Sequence, residues 1–189
     1  MSKGLKTTLI VVGIIVILFF PLIGSYNSMV GLDQQVNAAS SNIDTQLQRR
    51  SDLIPNLVQT VKGYAAQEQT IFTDVANARA KLAGSQTITD KANADAQLSG
   101  ALSRLLAIAE SYPDLKSSTN FRDLSVALEG TENRIAIARQ DYNTAVTSYN
   151  TTIRTFPNSI ISGMFRFQEK PYYKASEGAQ EVPKVDFTR

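Results

Sequence analysis

Hydrophobic residues occur in this chain in two patterns, first as one continuous block and then as helical stripes. No charged residue stands between Lys6 and Asp33, and residues 9–23 are almost entirely aliphatic or aromatic. A helix of about 20 residues crosses the roughly 30 Å hydrocarbon core of a bilayer, where charged side chains are costly. The block therefore predicts a transmembrane helix over residues 7–26, preceded by a cytoplasmic amino terminus at residues 1–6.

A cleaved secretory signal peptide is the alternative interpretation of this block, because it also combines a basic start with an apolar core. The block is longer than the usual core of about 7–15 residues, and no clear A-x-A cleavage site follows it. Lys3 and Lys6 precede the block, whereas the first charges after it are acidic. This asymmetry predicts that the amino terminus is cytoplasmic and that the rest of the chain lies outside.

Four apolar stripes follow the block, with the spacing of three and four residues that is typical of amphipathic helices. They predict an all-α fold, in which helices over residues 27–50, 53–83, 90–112 and 119–155 form an elongated antiparallel four-helix bundle. No Gly/Pro/Ser-rich linker separates the block from the first stripe, which favours a rigid stalk leaving the membrane. The last stripe, from Phe121 to Ile153, has heptad-like spacing that predicts coiled-coil packing.

The boundary between the first two helices is predicted from local signals. Arg49 and Arg50 favour a helix end, because cations suit the negative carboxyl-terminal dipole. Asp52 or the serine before it can cap the next helix, and Pro55 then falls in the first turn, where a missing N–H costs little. We interpret this string as a structural hinge. The functional alternative is a contact surface at the end of the bundle, with Arg49, Arg50 and Asn56 exposed.

Residues 156–189 differ from the bundle because aromatic residues and prolines are frequent there. Disordered tails are usually poor in aromatic residues, so the sequence predicts an extended C-terminal arm that packs against protein. Phe165 and Phe167 are its candidate contact residues. Two interpretations remain open, a strap along the bundle of the same chain or an arm that docks on a neighbouring subunit or partner.

Several charged residues interrupt or flank the apolar stripes. Glu68 and Arg79 stand on the second stripe, and Glu132, Arg134 and Arg139 stand beside the fourth. A buried charge needs a partner, so Glu68–Arg139 and Arg79–Glu132 are candidate pairs that would fix helix register. The alternative is that these side chains lie at the edge of the helix seam with their charged ends in water.

The composition removes most catalytic chemistry. The 189 residues include no histidine, cysteine or tryptophan, so the most common general base, the thiol nucleophile and the usual zinc ligands are missing. The sequence has no EF-hand loop, Gly-rich phosphate-binding motif or GxSxG elbow. The net charge of +2 is too small to suggest a nucleic-acid partner. We therefore expect no enzymatic activity, cofactor or metal.

Particular strings of this sequence closely resemble the signature of LemA proteins. The resemblance is carried by QRRSDLIPNLV at residues 48–58, VKGYA at 61–65 with Glu68, TENRIA at 131–136, and the aromatic Phe165 and Phe167. It implies a bacterial membrane protein with one amino-terminal span and an antiparallel helical-bundle domain. With the charge asymmetry, this predicts an inner-membrane location and a periplasmic or extracytoplasmic bundle. A member of this type occurs among magnetosome-forming proteins, which implies membrane organisation or assembly. The resemblance supplies no established catalytic residues.

These observations predict a single-pass membrane-anchored scaffold whose bundle self-associates into a homo-oligomer. Such a scaffold would organise the bilayer or an assembly of membrane proteins. The alternative function is a membrane-bound sensory or adaptor module, which would act through a membrane-protein partner such as a membrane protease.

Overall fold

A computed structural model describes the backbone of residues 3–174, and the side chains in this range except those of residues 3, 6–11 and 14–21. The described elements are six α-helices and one 3-10 turn at Ile108–Ser111. The helices are α1 (Lys3–Lys62), α2 (Gln69–Ala83), α3 (Ile88–Ala107), α4 (Pro113–Ser117), α5 (Thr119–Arg154) and α6 (Asn158–Phe165). No strand occurs within this range. The predicted all-α class is confirmed.

Helix α1 continues from Lys3 to Lys62, so the predicted boundary between helices at residues 27–50 and 53–83 is wrong. The first interruption of the helical structure comes later, between the end of α1 at Lys62 and the start of α2 at Gln69. The reason is visible in the burial pattern, because the buried positions keep their helical spacing through the supposed hinge. These positions are Ile43, Leu47, Arg50, Ile54 and Leu57.

The later helices begin at recognisable local signals. Thr87 caps α3 by accepting a hydrogen bond from the backbone N–H of Asp90 at 3.1 Å, and Pro113 occupies the first turn of α4. The region predicted as one helix over residues 90–112 is divided between α3 and the 3-10 turn. Helix α5 spans Thr119–Arg154, against a predicted range of 119–155.

The chain divides into two compact units, and α1 and α5 contribute to both. The first unit comprises Met1–Ser40 and Asp141–Lys170, and the second comprises Ser41–Gln140 and Pro171–Arg189. The buried residues of the first unit include aliphatic and tyrosine side chains from α1, α5 and α6, namely Met29, Val36, Tyr142, Val146, Tyr149, Ile153 and Ile161. The second unit buries mostly aliphatic side chains, together with a small group of charged ones.

The C-terminal arm does not start as an extended segment, because residues 158–165 form α6. Ile161 supplies the buried side of this short helix, and Arg166 ends it in the left-handed conformation, with φ of 59°. Residues 175–189 of the predicted arm lie outside the described residues.

The predicted transmembrane helix falls within the backbone of α1, but the side chains at residues 6–11 and 14–21 lie outside the described ones. In the part of the chain that the structure describes, no helix combines the length and apolarity needed to cross a membrane.

Candidate functional site

A buried ionic cluster in the second unit is built around Arg50 of α1. The Arg50 side chain is only 2% exposed, and its Nη2 atom forms an ion pair with Asp95 of α3, which is fully buried. Its Nη1 atom donates to Ser99 Oγ at 3.0 Å and to the Glu132 carboxylate of α5 at 2.5 Å. One guanidinium therefore connects three helices.

Asp95 connects this group to the C-terminal segment of the chain. It pairs with Nη2 of Arg139 on α5, and it accepts a hydrogen bond from the Tyr173 hydroxyl at 2.7 Å. The Arg139 guanidinium also lies 5.2 Å from the centre of the Tyr173 ring, within the range of a cation–π contact. The cluster therefore fixes Tyr173 against α3 and α5.

The charges of the cluster balance, because two arginines face the carboxylates of Asp95 and Glu132. Burial lowers the pKa of Arg50, and the nearby Glu132 carboxylate opposes that shift. Burial raises the pKa of Tyr173, so its hydroxyl stays protonated and able to donate near neutral pH. A buried pair of this kind adds little net stability, but the loss of one partner is strongly destabilising.

The sequence pattern identifies only part of this cluster. It makes Arg50, Glu132 and Arg139 candidate interaction residues, but not Asp95 or Tyr173. A signal for Asp95 was present, since it stands three residues before Leu98 and in register with the apolar stripe of α3. Nothing in the sequence distinguishes Tyr173 from the other aromatic residues of the arm.

Both predicted inter-helix pairs, Glu68–Arg139 and Arg79–Glu132, are wrong. Glu68 instead accepts a hydrogen bond from the Tyr112 hydroxyl at 3.4 Å. Arg139 and Glu132 both belong to the cluster, where the closest of their charged atoms are 3.8 Å apart.

Arg79 has a different role, which is linked to Pro55. A proline inside a helix cannot donate to the carbonyl four residues earlier, and for Pro55 that carbonyl belongs to Ser51. Nε of Arg79 lies 3.2 Å from this oxygen and 3.0 Å from Ser51 Oγ, and donates to both. A side chain of α2 thus replaces the missing backbone donor, and α1 continues through Pro55.

Other candidates lie on the surface of α1 or α5. Arg49, Asp52, Pro55, Asn56 and Arg134 are all exposed. Asp52, predicted as a helix cap, lies inside α1 and accepts a hydrogen bond from the Gln48 side chain at 2.7 Å. The predicted contact surface is wrong for Arg50, because this side chain is buried.

In the first unit, the arm packs along its own chain. The Phe165 and Phe167 rings lie 4.8 Å and 5.7 Å from the Tyr26 ring of α1. Farther along, the Asn150 amide makes two hydrogen bonds of 2.9 Å with the backbone of Lys170. These contacts agree with the interpretation of the arm as a strap.

A row of four exposed residues, called the seam below, runs along the outer side of α5 within the second unit. Its four positions follow the alternating spacing of three and four residues and are all exposed: Val126, Gly130, Asn133 and Ile137. Val126 and Ile137 are 68% and 59% exposed, and a Cβ atom added at Gly130 would meet no atom within 4 Å. Glu129 and Arg134 flank the seam.

A groove of 530 Å³ in the second unit opens onto the cluster. Arg50 and Glu132 line one part of it, and Ser99, Ser103 and Leu106 line the side formed by α3. Among the described residues, no group of three or more carboxylate-type ligands could hold a metal ion.

Comparison with known proteins identifies the family. The model of the LemA family matches residues 39–187, which include every member of the ionic cluster. The chain belongs to the LemA family. Magnetosome protein MamQ 2 of Paramagnetospirillum magneticum is 29% identical over an alignment of 205 positions, which covers 90% of this chain and 75% of that protein. MamQ of Magnetospirillum gryphiswaldense is 28% identical over the same shares of both chains.

Protein LemA of Metamycoplasma hominis is 25% identical over 165 residues, covering 85% of this chain and 74% of that protein. The family match confirms the resemblance that the sequence strings indicated.

Proposed function

We propose that this LemA protein is a single-pass membrane-anchored scaffold that self-associates and organises the membrane or an assembly of membrane proteins. The anchor is the uncharged stretch between Lys6 and Asp33, with the amino terminus in the cytoplasm and the helical domain outside. This stretch belongs to α1, which also contributes buried residues such as Met29 to the first unit and Ile54 to the second. Contacts between helical domains would therefore set the spacing of anchors in the bilayer.

The observation that carries self-association is the exposed seam on α5. Coiled coils form when apolar residues repeat at this spacing, and flanking charges pair between helices. Glu129 directly precedes Gly130 of the seam, and Arg134 directly follows Asn133. Flanking positions that are five residues apart in this way pair between the two helices of a parallel coiled coil, so Glu129 of one copy faces Arg134 of the other. Gly130 allows close approach of the two backbones. Parallel association suits proteins that are anchored in the same membrane.

The relatives agree with a structural function. Three of the similar proteins are named magnetosome protein MamQ, and a role in building a membrane-associated assembly is the function that we extend to this chain by analogy. The chain offers neither histidine nor cysteine for catalysis, and we propose that it is not an enzyme.

The test is the mass of the full-length protein in nanodiscs and mild detergent over a range of concentrations. We expect dimers or larger assemblies. Ile137→Lys should weaken self-association at least tenfold, because burying an isoleucine contributes about 1.5–3 kcal/mol and about 1.4 kcal/mol corresponds to a factor of ten. The control is Tyr64→Lys, since Tyr64 is also an exposed apolar residue of the second unit but lies outside the seam.

Charge exchange tests the parallel geometry. Glu129→Arg and Arg134→Glu should each weaken self-association alone, and an equal mixture of the two variants should restore it, because every flanking pair is then of opposite charge. A wild-type protein that stays monomeric at all concentrations in both media contradicts the scaffold. Association that is unchanged by Ile137→Lys contradicts the seam.

A sensory or adaptor module is the second candidate, favoured by the groove beside Arg50. A ligand or partner segment there would contact the only part of the cluster that is half-exposed, the Glu132 carboxylate. The same measurements discriminate between the two functions. A monomeric protein that photo-crosslinks from Leu106 to one defined membrane protein, and loses this product in Ser103→Trp, would favour the adaptor.

A further inference from the structure

An exposed apolar surface lies where α5 ends and α6 follows. Residues 155–165, between Arg154 and Arg166, carry no charge. Four large apolar side chains in this segment are between 56% and 77% exposed, namely Phe156, Ile160, Met164 and Phe165. Exposed apolar residues that occur singly need no explanation, but a contiguous group marks an interaction surface.

The contacts of the first unit place this surface along α1. Phe165, the last residue of α6, packs on Tyr26. The chain then moves toward the charged part of α1, where Nζ of Lys170 lies 2.8 Å from the Asp33 carboxylate. Asp33 is seven residues after Tyr26, a distance of about 10 Å along the helix axis. The end of α6 therefore lies beside the end of the predicted transmembrane segment, about 10 Å along α1 before its first charged residue after Lys6.

The carboxyl-terminal end of α5 also lies beside this part of α1. Asn150 binds the backbone of Lys170, which in turn pairs with Asp33. Helix α5 continues beyond Asn150 for another turn, to Arg154. The turn that contains Phe156 follows, and α6 then brings the chain back to Tyr26. The exposed apolar side chains thus occur next to the uncharged part of α1.

We infer that α6 and Phe156 insert into the headgroup region of the lipid bilayer beside the anchor. The inference rests on the proposed membrane anchor. Short amphipathic helices lie in this plane with their apolar face directed to the acyl chains, and aromatic residues such as Tyr26 are enriched at this level. Arg154, whose Nε atom lies 3.5 Å from the Glu169 carboxylate, and Arg166 stand at the two ends of the uncharged segment. Their guanidinium groups can donate hydrogen bonds to lipid phosphates. The partner is therefore the lipid surface.

Quenching of tryptophan fluorescence by brominated lipids tests the insertion of α6. The wild-type chain has no tryptophan, so each introduced tryptophan reports on one position. The full-length Met164→Trp variant, in vesicles of anionic phospholipid with bromines near the headgroup, should lose about half of its emission, since interfacial helices bury their apolar face roughly 5–10 Å deep. Val12→Trp should respond best to bromines deep in the acyl chain, because Val12 lies within the proposed span. Ala38→Trp, on the exposed surface of α1, is the control without quenching.

The three reporters separate the two proposals. Quenching of Val12→Trp without quenching of Met164→Trp leaves the anchor in place and overturns the interfacial helix. Absence of quenching at both positions overturns the anchor itself. If Met164→Trp is unquenched and its emission shifts with protein concentration, the surface is a contact between copies and the lipid inference is wrong.

Phe156→Trp repeats the measurement on the turn before α6, and it keeps the test independent of one substitution. Circular dichroism verifies that each variant retains its helix content. Quenching of both Met164→Trp and Phe156→Trp supports insertion of the whole segment, whereas quenching of neither, in folded protein, contradicts it.

Discussion

The centre of the second unit and the α6 region of the first unit reverse the usual distribution of polar and apolar residues in opposite ways. Arg50 and Asp95 carry charge where the protein excludes water. Phe156 and Met164 present apolar side chains where they are exposed. The buried charges are compensated within the chain, because Arg50 and Arg139 pair with Asp95 and Glu132, although the Nε atoms of both arginines lack a hydrogen-bond partner among the described residues. The free energy of the exposed apolar side chains depends instead on whether water or lipid surrounds them.

The two regions should therefore respond to different perturbations. Removal of one charge from the cluster leaves another charge buried and unpaired, which is costly in any medium. A polar substitution in α6 should matter little in detergent and more in a bilayer. Single substitutions in the cluster distinguish buried from exposed charges, and the tryptophan reporters in α6 distinguish lipid from water.

The largest effect is expected for Asp95→Ala. Without this carboxylate Arg50 has lost a buried partner, and Arg139 and Tyr173 lose an acceptor. We expect the free energy of unfolding to fall by about 3–5 kcal/mol, measured by chemical denaturation of the detergent-solubilised full-length protein with helicity as the signal.

Asp44→Ala is the matched control for Asp95→Ala. Asp44 also links α1 to α3, through an ion pair with Lys91 at 2.6 Å, but its side chain is about half exposed. Exposed pairs contribute about 0–1 kcal/mol. Equal losses for the two variants would show that burial of the cluster does not determine its energetic importance.

A smaller effect is expected for Arg79→Met, which removes the donor to the Ser51 carbonyl. Because this hydrogen bond is partly buried, its loss should cost about 1–2 kcal/mol, at the lower end of the range for buried polar groups. Pro55→Ala restores a backbone N–H to this carbonyl, so the loss caused by Arg79→Met should shrink in the Pro55→Ala background. A double-mutant cycle of unfolding free energies measures this coupling. Additive effects would contradict the compensation.

A comparable effect is expected for Tyr173→Phe, which keeps the ring on Arg139 but removes the hydrogen bond to Asp95. The loss should be about 1–2 kcal/mol near neutral pH. Burial raises the pKa of Tyr173 in the folded protein, so the hydroxyl stabilises the fold below its unfolded pKa of about 10. This contribution disappears as the pH rises through the higher folded pKa.

The difference between wild type and Tyr173→Phe should therefore be full at pH 8 and smaller at pH 11. Thermal unfolding across this range measures it, with Tyr64→Phe, an exposed tyrosine of the same unit, as the control. A difference that does not change with pH would place the Tyr173 hydroxyl outside the cluster.

Pro55 shows why a helix boundary was predicted where none exists. The local rule is sound, since a proline removes one hydrogen bond of the helix, and Arg49, Arg50 and Asp52 also resemble end and cap signals. The compensation comes from Arg79, 24 residues later in the chain. No local pattern states that these two residues meet.

The cluster was predictable to a similar extent. The apolar register of α1 passes through Arg50, and that of α3 passes through Asp95, so both charges could be assigned to buried faces from the sequence. Which charges pair depends on the rotation and register of the helices. Pairs were therefore assigned incorrectly, and Tyr173 was missed because the path of the arm is not encoded in any periodic pattern.

The helical class, the family, the uncharged stretch of α1 and the long stripe of α5 can be recognised from the chain alone, because each follows from residue spacing or composition. The continuity of α1 through Pro55, the partners of Arg50 and the packing of Phe165 on Tyr26 emerge in the folded protein. Each of these depends on side chains that are distant in sequence. Such contacts change the free energy of a residue in its local structure, as Arg79 does for the helix at Pro55. They form only when the chain has folded.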